Sequence, residues 1–202
     1  PTPPEPTPTA SLSASSSSVL LDTIVTLTWS STDATSCSAS GAWTGSKAIS
    51  GSEDVTISTP GDNTFGISCT GAGGSQAASV TVEGYRNTDG VSVDGYIRQA
   101  DIFIDTNDSY TADSGEDTTT SDNDGKFTIK YSDGNLISLG GTDLDSGNAL
   151  DNLLIVHKLT GHSNFKAVTP VTSVAAFMTD VTLVNATLGI DASLDITTVD
   201  PV

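Results

Sequence analysis

Oxygen-bearing side chains recur at a regular spacing in one short acidic segment, DTNDSYTADSGE, residues 105–116. Counted from the first residue of the segment, they occupy places 1, 3, 5, 9 and 12. These are the side-chain ligand places of a twelve-residue calcium loop, in which place 7 adds a backbone carbonyl and place 12 a bidentate carboxylate. The candidate Ca²⁺ ligands are therefore Asp105, Asn107, Ser109, Thr111, Asp113 and Glu116.

The segment differs from a helix-flanked calcium loop in two ways. Place 6, where the chain turns sharply and glycine is usual, is Tyr110. The flanking runs GYIRQADIFI and TTTSDNDGKFTI alternate like strands. We therefore expect a calcium loop placed between β-strands. Residues 122–125 favour a hairpin turn with Gly125 at a positive φ. The alternative is that Asp122, Asn123 and Asp124 support the ligands of the first ion or bind a second ion.

The net charge restricts the partners of the chain. Asp and Glu number 25 against 7 Lys and Arg, which gives −18. Such a surface disfavours nucleic acid and anionic membranes. A compact chain of this charge repels itself unless cations neutralise it, which favours a divalent metal as a partner. No apolar run reaches the roughly 18 residues of a membrane-spanning helix, so no membrane insertion is expected.

The two cysteines, Cys37 and Cys69, each lie in a short strand-like run. We expect one disulfide, which implies an oxidising compartment and hence a secreted or cell-surface protein. The alternative is a pair of buried free thiols. A bridge closing a loop of this length would stabilise the fold by roughly 3–4 kcal/mol.

The elements that must position these residues are predicted to be short strands. Abundant Ser, Thr and Gly, with only 16% charged residues, are typical of an all-β extracellular protein. We expect a Pro/Thr-rich linker over residues 1–9, a first unit over 10–83, a turn-rich joint over 84–90 and a second unit over 91–202. Candidate strands are Ser11–Ala14, Thr23–Trp29, Ser36–Ser40, Asp54–Ser58, Asn63–Thr70, Gln76–Glu83, Lys126–Tyr131, Leu136–Leu139 and Asn152–Lys158. Apolar residues at helical spacing predict one or two short helices, over 171–179 and 181–188, with Pro170 at the start.

The first unit contains the runs TLTWSSTDATSCSASGAWTGSKAISG and NTFGISCTGAGGSQAASVTV, which resemble a bacterial immunoglobulin-like module of secreted proteins. In antibody-type domains the tryptophan lies between the cysteines, whereas here Trp29 precedes Cys37. The resemblance therefore implies that Cys37 is on the third strand and Cys69 on the penultimate strand, as neighbours in one sheet. We expect Trp29 in the core and Trp43 against a loop; exposed sugar-stacking platforms are the alternative.

The second unit contains the run VDGYIRQADIFIDTNDSYTADSGEDTTTSDNDGKFTI, which resembles the calcium-loaded B repeats of Gram-positive surface adhesins. It is also similar to related modules of Gram-negative secreted proteins, whose continuation resembles GGTDLDSGNAL, VTPVTSVAAFM and LGIDASLDITTVDP. The resemblances imply two tandem β-sandwiches, Ig-like and prealbumin-like, the second of which binds Ca²⁺ through its acidic loop.

No nucleophile, phosphate-binding or zinc-protease motif occurs, and His157 and His162 are interpreted as surface residues. We therefore expect a module without enzymatic activity. The expected function is that of an extracellular, calcium-stabilised structural or adhesive module of a bacterial surface or secreted protein, with a cell-surface protein or a polysaccharide as partner. The alternative is a carbohydrate-binding accessory module of a secreted polysaccharide-degrading enzyme.

Overall fold

A computed structural model describes residues 3–151, 153–156, 159, 165–178, 189–191 and 194–198. Over these residues the secondary structure is strand apart from one short helix near the C-terminus, which confirms the all-β prediction. The chain divides into two compact units, residues 1–86 and 87–202. His157, His162 and the helix predicted over 181–188 lie outside the described residues.

The first unit contains two antiparallel sheets with one parallel strand pair. Its strands are β1 (Ser11–Ala14), β2 (Ser18–Leu20), β3 (Thr23–Ser30), β4 (Ser36–Gly41), β5 (Gly45–Lys47), β6 (Ser50–Ile57), β7 (Gly61–Gly71) and β8 (Gly74–Tyr85). One sheet has the order β1-β3-β6 and the other β2-β8-β7-β4-β5, with β2 parallel to β8. The six strands predicted for this unit are all present, and β2 and β5 are additional.

Apolar residues from both sheets form a single buried cluster in the first unit. Strand β3 contributes Val25, Leu27 and Trp29, whose alternation with polar residues turns one face inward. The facing sheet contributes Phe65 and Ile67 of β7. This cluster confirms that Trp29 belongs to the core.

Trp43 lies on the connection between β4 and β5, and its side chain is buried in the same core rather than resting on a loop. Its ring meets those of Trp29 and Phe65 edge to face, at centroid distances of 5.4 and 6.3 Å. The indole N–H of Trp43 donates to the Gly66 carbonyl at 2.9 Å, so burial leaves no polar atom unpaired.

Cys37 and Cys69 form a disulfide. They face each other in the register of β4 and β7, which are neighbours in the five-stranded sheet. Both side chains are buried. The predicted bridge and its placement within one sheet are thus confirmed.

At both ends of the first unit, residues predicted to be a linker or a joint make contacts or belong to strands. Residues 3–9 have no regular secondary structure, yet Pro8 is buried and the Thr9 amide donates to the Thr32 carbonyl. At the other end, β8 continues to Tyr85 and the next strand begins at Asn87. Strands therefore extend into the predicted joint from both sides, and the boundary between the units falls at Arg86.

The second unit contains three sheets and the helix. Its strands are β9 (Asn87–Ser92), β10 (Ile97–Arg98), β11 (Asp101–Asp105), β12 (Thr118–Thr120), β13 (Lys126–Lys130), β14 (Asn135–Leu139), β15 (Thr142–Asp143), β16 (Leu153–Val156) and β17 (Phe165–Val168), and its helix is α1 (Pro170–Ala176). The sheet orders are β12-β11-β14-β16, β13-β9-β17 and β10-β15. Strand β9 is central in its sheet, antiparallel to β13 and parallel to β17.

The core of the second unit joins the two larger sheets. Ile102 and Ile104 of β11 pack with Leu136 of β14, and Phe127 and Ile129 of β13 belong to the same buried cluster. Because the apolar residues of β11 are buried in this core, the position of its last residue, Asp105, is held by the sheet. The acidic loop therefore starts on a well-anchored strand.

Helix α1 begins where the sequence predicts. Thr169 is its N-cap: the hydroxyl accepts from the Thr172 amide, and the Thr172 hydroxyl accepts from the Thr169 amide. Pro170 in the first turn has no amide to leave unpaired. No helix in the described part of the chain is long and apolar enough to cross a membrane.

The turn at residues 122–125 reverses the chain, with Gly125 at φ 74° as predicted. The Asp122 carboxylate accepts from the amides of Asp124 and Lys126 and holds the turn. The flanking strands β12 and β13 belong to different sheets, because β12 pairs with β11 and β13 with β9. The turn therefore connects two sheets instead of closing a hairpin.

Candidate functional site

The acidic loop folds around Asp105, the last residue of β11. Its side chain is 1% exposed and accepts three backbone hydrogen bonds. Oδ1 accepts from the amides of Asn107 at 3.1 Å and Ser109 at 3.2 Å, and Oδ2 accepts from the Tyr110 amide at 2.9 Å. Charge-assisted bonds of this kind are stronger than neutral ones, so this carboxylate determines the path of the first half of the loop.

Tyr110, at the place where glycine is usual, has a φ of 59°. This is the left-handed conformation that glycine adopts readily and that a bulky residue adopts rarely. The tyrosine therefore does not prevent the sharp turn, and its ring remains 40% exposed. Having Tyr110 instead of glycine therefore raises the conformational free energy of the turn but leaves its backbone shape unchanged.

Four of the candidate ligands converge across the two halves of the loop. The Ser109 hydroxyl lies 2.8 Å from Asp113 Oδ2 and 3.1 Å from the Thr111 carbonyl oxygen. The Asn107 side-chain amide donates to the same Asp113 oxygen at 2.9 Å. Ligand oxygens that lie 2.3–2.6 Å from one Ca²⁺ are about 3 Å from one another, so the Ser109 hydroxyl, the Thr111 carbonyl and Asp113 Oδ2 are at the separations of neighbouring ligands. Asn107 faces Asp113 with its amide nitrogen, and its Oδ1 accepts from the Ser109 amide at 3.0 Å.

Glu116 ties the two ends of the loop together. Its Oε1 accepts from the amide of Thr106 at 2.7 Å and from its hydroxyl at 3.1 Å, and its Oε2 accepts from the Asp113 amide at 3.0 Å. Both predicted end ligands, Asp105 and Glu116, thus direct their oxygens at donors of the loop itself. A carboxylate oxygen has two lone pairs, so Asp105 Oδ2 and Glu116 Oε2, which accept one bond each, can take a further partner. Asp105 Oδ1 and Glu116 Oε1 already accept two bonds each.

A further contact, which the sequence did not reveal, attaches the loop to the neighbouring strand. Asn135 is opposite Asp105 in the register of β11 and β14, and its side chain is 2% exposed. Its amide donates to Asp108 Oδ1 at 2.8 Å. The only sequence signal was a polar residue at the start of the apolar run NLISL, which does not by itself indicate a partner.

The hydrogen bonds of Asp113 favour its ionised form. Donation from the Asn107 side chain, and then from Ser109, lowers the pKa of Asp113 below its ordinary value of 3.8, against a small opposing effect of desolvation. Asp113 therefore carries a full negative charge at neutral pH and is available to a cation.

The donor chemistry distinguishes between metals. Over residues 3–151 and the shorter described segments beyond them, no group of three or more His, Cys, Asp or Glu side chains is placed to hold a metal. A site in this loop would depend on amide, hydroxyl and carbonyl oxygens beside its carboxylates. Oxygen-only donors of this kind suit Ca²⁺, whereas Zn²⁺ prefers nitrogen and sulfur.

No protein-family model matches this chain, and no curated protein matches its sequence. The family resemblances inferred from its sequence runs therefore stay predictions, and the functional interpretation depends on the contacts described above.

Proposed function

We propose that this chain is an extracellular, calcium-stabilised structural or adhesive module of a bacterial surface or secreted protein, without enzymatic activity. The observation that carries the proposal is the convergence of Asn107, Ser109, Asp113 and the Thr111 carbonyl within one loop. Its two halves are the Ig-like and prealbumin-like β-sandwiches that the sequence resemblances imply. The shared core of the two sheets in the first unit supports that architecture there.

Calcium would be held by the side chains of Asp105, Asn107, Ser109, Asp113 and Glu116 and by the Thr111 carbonyl. When bound, the ion supplies positive charge to a unit in which residues 87–202 carry 18 acidic and 5 basic residues. Asp105 ends a core strand, and Asp108 is bonded to the buried Asn135. Ordering the loop would therefore stiffen the sheet to which it is attached.

The disulfide supports the extracellular part of the proposal. Cys37 and Cys69 are bonded and buried, and such bridges persist in oxidising compartments. A module exposed outside the cell also encounters millimolar calcium, which fills even weak sites.

The alternative, a carbohydrate-binding accessory module, would be favoured by an exposed coplanar pair of aromatic rings. Trp29 and Trp43 do not supply one: they are 6% and 5% exposed, and their ring planes are 71° apart. Each indole N–H also donates to a backbone carbonyl of the core. The tryptophans thus favour the structural or adhesive proposal over an aromatic sugar platform.

The test is calorimetric titration of the EDTA-stripped chain with Ca²⁺, combined with unfolding curves. We expect saturable binding and a stabilisation of the second unit of about 2.7 kcal/mol when Ca²⁺ is a hundredfold above its dissociation constant. Tryptophan fluorescence reports the first unit alone, because both tryptophans lie within residues 1–86. That signal should not respond to Ca²⁺.

Two variants make the titration specific. Asp113→Ala removes an exposed carboxylate of the converging group, and Asp101→Ala removes a carboxylate of β11 that is also exposed but lies outside the loop. Binding should be lost in the first and kept in the second, since only the first removes a ligand. Absence of binding heat at millimolar Ca²⁺, or equal loss in both variants, would contradict the proposal.

A further inference from the structure

A second polar site lies in the second unit, away from the acidic loop. It is a cleft of about 560 Å³ between β12 and β13, the edge strands of two different sheets. Its polar lining consists of Asp89, Thr119, Thr120, Asp122, Lys126 and Thr128. Phe127, Phe165 and Gly90 complete it. The volume is in the range of small-molecule sites, and no motif of the sequence had indicated it.

Strand register places three chemically different side chains in one row of this cleft. Thr128 of β13 and Phe165 of β17 are both directly opposite Asp89 of β9. Directly opposed residues share a face of the sheet, and neighbouring strands are about 4.8 Å apart. A hydroxyl, a carboxylate and an aromatic ring therefore lie side by side.

The two carboxylates of the cleft are held in fixed positions. Asp89 Oδ1 accepts from the Thr128 hydroxyl at 2.6 Å, and Asp122 Oδ1 accepts from the amides of Asp124 at 2.8 Å and Lys126 at 2.9 Å. Among the described residues, the Oδ2 atoms of Asp89 and Asp122 and the Lys126 ammonium have no partner within hydrogen-bonding distance. The cleft thus presents oriented acceptors and a donor to a ligand.

Glycine at position 90 is required by the packing on the core-facing side of β9, opposite to the face that carries Asp89. A Cβ there would lie 2.3 Å from the Phe127 ring and 2.4 Å from the Lys166 carbonyl oxygen. Both contacts are far shorter than van der Waals distance, so the ring can cross β9 only because residue 90 has no side chain. The sheet that carries Asp89 and Thr128 is therefore closely packed on its core-facing side.

We propose that this cleft binds a neutral saccharide. Sugar hydroxyls would donate to Asp89 and Asp122 and accept from Lys126, while the C–H face of the sugar ring would pack on Phe165, whose electron-rich face attracts the weakly positive C–H groups. Two carboxylates against one ammonium, within a unit of 18 acids and 5 bases, repel anionic ligands. The site shares no residue with the acidic loop, so it does not depend on the calcium proposal.

The experiment is to apply the full chain to immobilised neutral gluco-, galacto-, manno- and xylo-oligosaccharides, with oligogalacturonate and chitosan oligomers as anionic and cationic probes. The best neutral probe is then titrated calorimetrically into variants. Asp89→Ala and Phe165→Leu should each weaken binding about tenfold, as expected for the loss of one charged hydrogen bond or one ring contact. Phe165→Leu keeps apolar volume, which protects the fold.

Asp54→Ala is the matched control. Asp54 is exposed in the first unit and accepts from the Thr26 hydroxyl at 2.6 Å, the same cross-strand bond that Asp89 makes with Thr128. It should leave saccharide affinity unchanged. Absence of binding to every neutral probe at millimolar concentration, binding of the cationic probe only, or equal effects of Asp54→Ala and Asp89→Ala would overturn the proposal.

Discussion

The two units of this chain are held together by different means. The first has a buried disulfide and an aromatic core around Trp29, Trp43 and Phe65, and residues 1–86 carry only seven acidic and two basic side chains. The second has neither cysteine nor tryptophan, an aliphatic core around Ile102 and Leu136, and 18 acidic side chains.

This difference determines how each unit should respond to its surroundings. A covalent bridge constrains the unfolded chain whatever ions are present. A unit rich in carboxylates experiences self-repulsion that cations and protons can relieve. The first unit should therefore be sensitive to reductant and indifferent to calcium, and the second should behave in the opposite way.

The largest effect is expected from breaking the bridge. Replacing both Cys37 and Cys69 by Ala should lower the free energy of unfolding of the first unit by roughly 3–4 kcal/mol, because the open chain regains the entropy of a loop of 32 residues. Tryptophan fluorescence during denaturant titration measures it. A parallel loss in the transition of the second unit would show that the units are not independent, and the comparison would fail.

The next effect concerns the buried carboxylate of the second unit. Asp105→Ala should lower the unfolding free energy of that unit by about 2–3 kcal/mol, because three loop amides lose their acceptor. Far-UV circular dichroism in the absence of calcium measures it. Asp101→Ala, on the same strand but exposed, should change stability by less than about 0.5 kcal/mol. Equal effects would mean that charge alone, rather than the bonds to the loop, matters.

A smaller effect is expected at the helix. Thr169→Ala removes the N-cap of α1 and should cost the second unit about 1 kcal/mol. Thr169→Ser keeps the hydroxyl and should restore most of that loss. Both are measured by thermal unfolding, and an unchanged transition in the alanine variant would show that α1 contributes little to the stability of this unit.

The smallest effect is a change in titration. Asn107 and Ser109 lower the pKa of Asp113, so the stability that their bonds contribute is present above its ordinary pKa of 3.8 and is lost as pH falls through the lower folded value. Asn107→Ala should raise the Asp113 pKa toward 3.8, as measured by carboxyl-carbon NMR against pH. The carboxylate is fully exposed, so we expect no measurable change in stability at neutral pH.

Local patterns in the sequence were sufficient for much of the fold. Apolar and polar residues alternate along β3 and β7, and that period of two is a property of neighbouring residues. The same holds for the start of α1 at Pro170 and for the spacing of oxygen-bearing residues in the acidic loop. The bridge between Cys37 and Cys69 was predictable because the chain contains only two cysteines.

Strand pairing was decided by the tertiary structure. The strands β2, β5 and β12 have only three residues each, too few for a pattern of their own, and they are strands because a neighbouring strand pairs with them. For the same reason the Asp122–Gly125 turn was taken for a hairpin, since nothing local shows that β12 and β13 join different sheets.

The candidate sites likewise have a part that the local sequence predicts and a part that only strand pairing brings together. By itself the sequence determined the oxygen donors of the acidic loop and their order, because a loop of twelve residues brings its own members together. Only the tertiary structure joined Asn135 to Asp108, and only it aligned Thr128, Asp89 and Phe165 in one row. These residues are distant in the chain and meet through strand register, which depends on long-range hydrogen bonding and core packing that no short window of sequence contains.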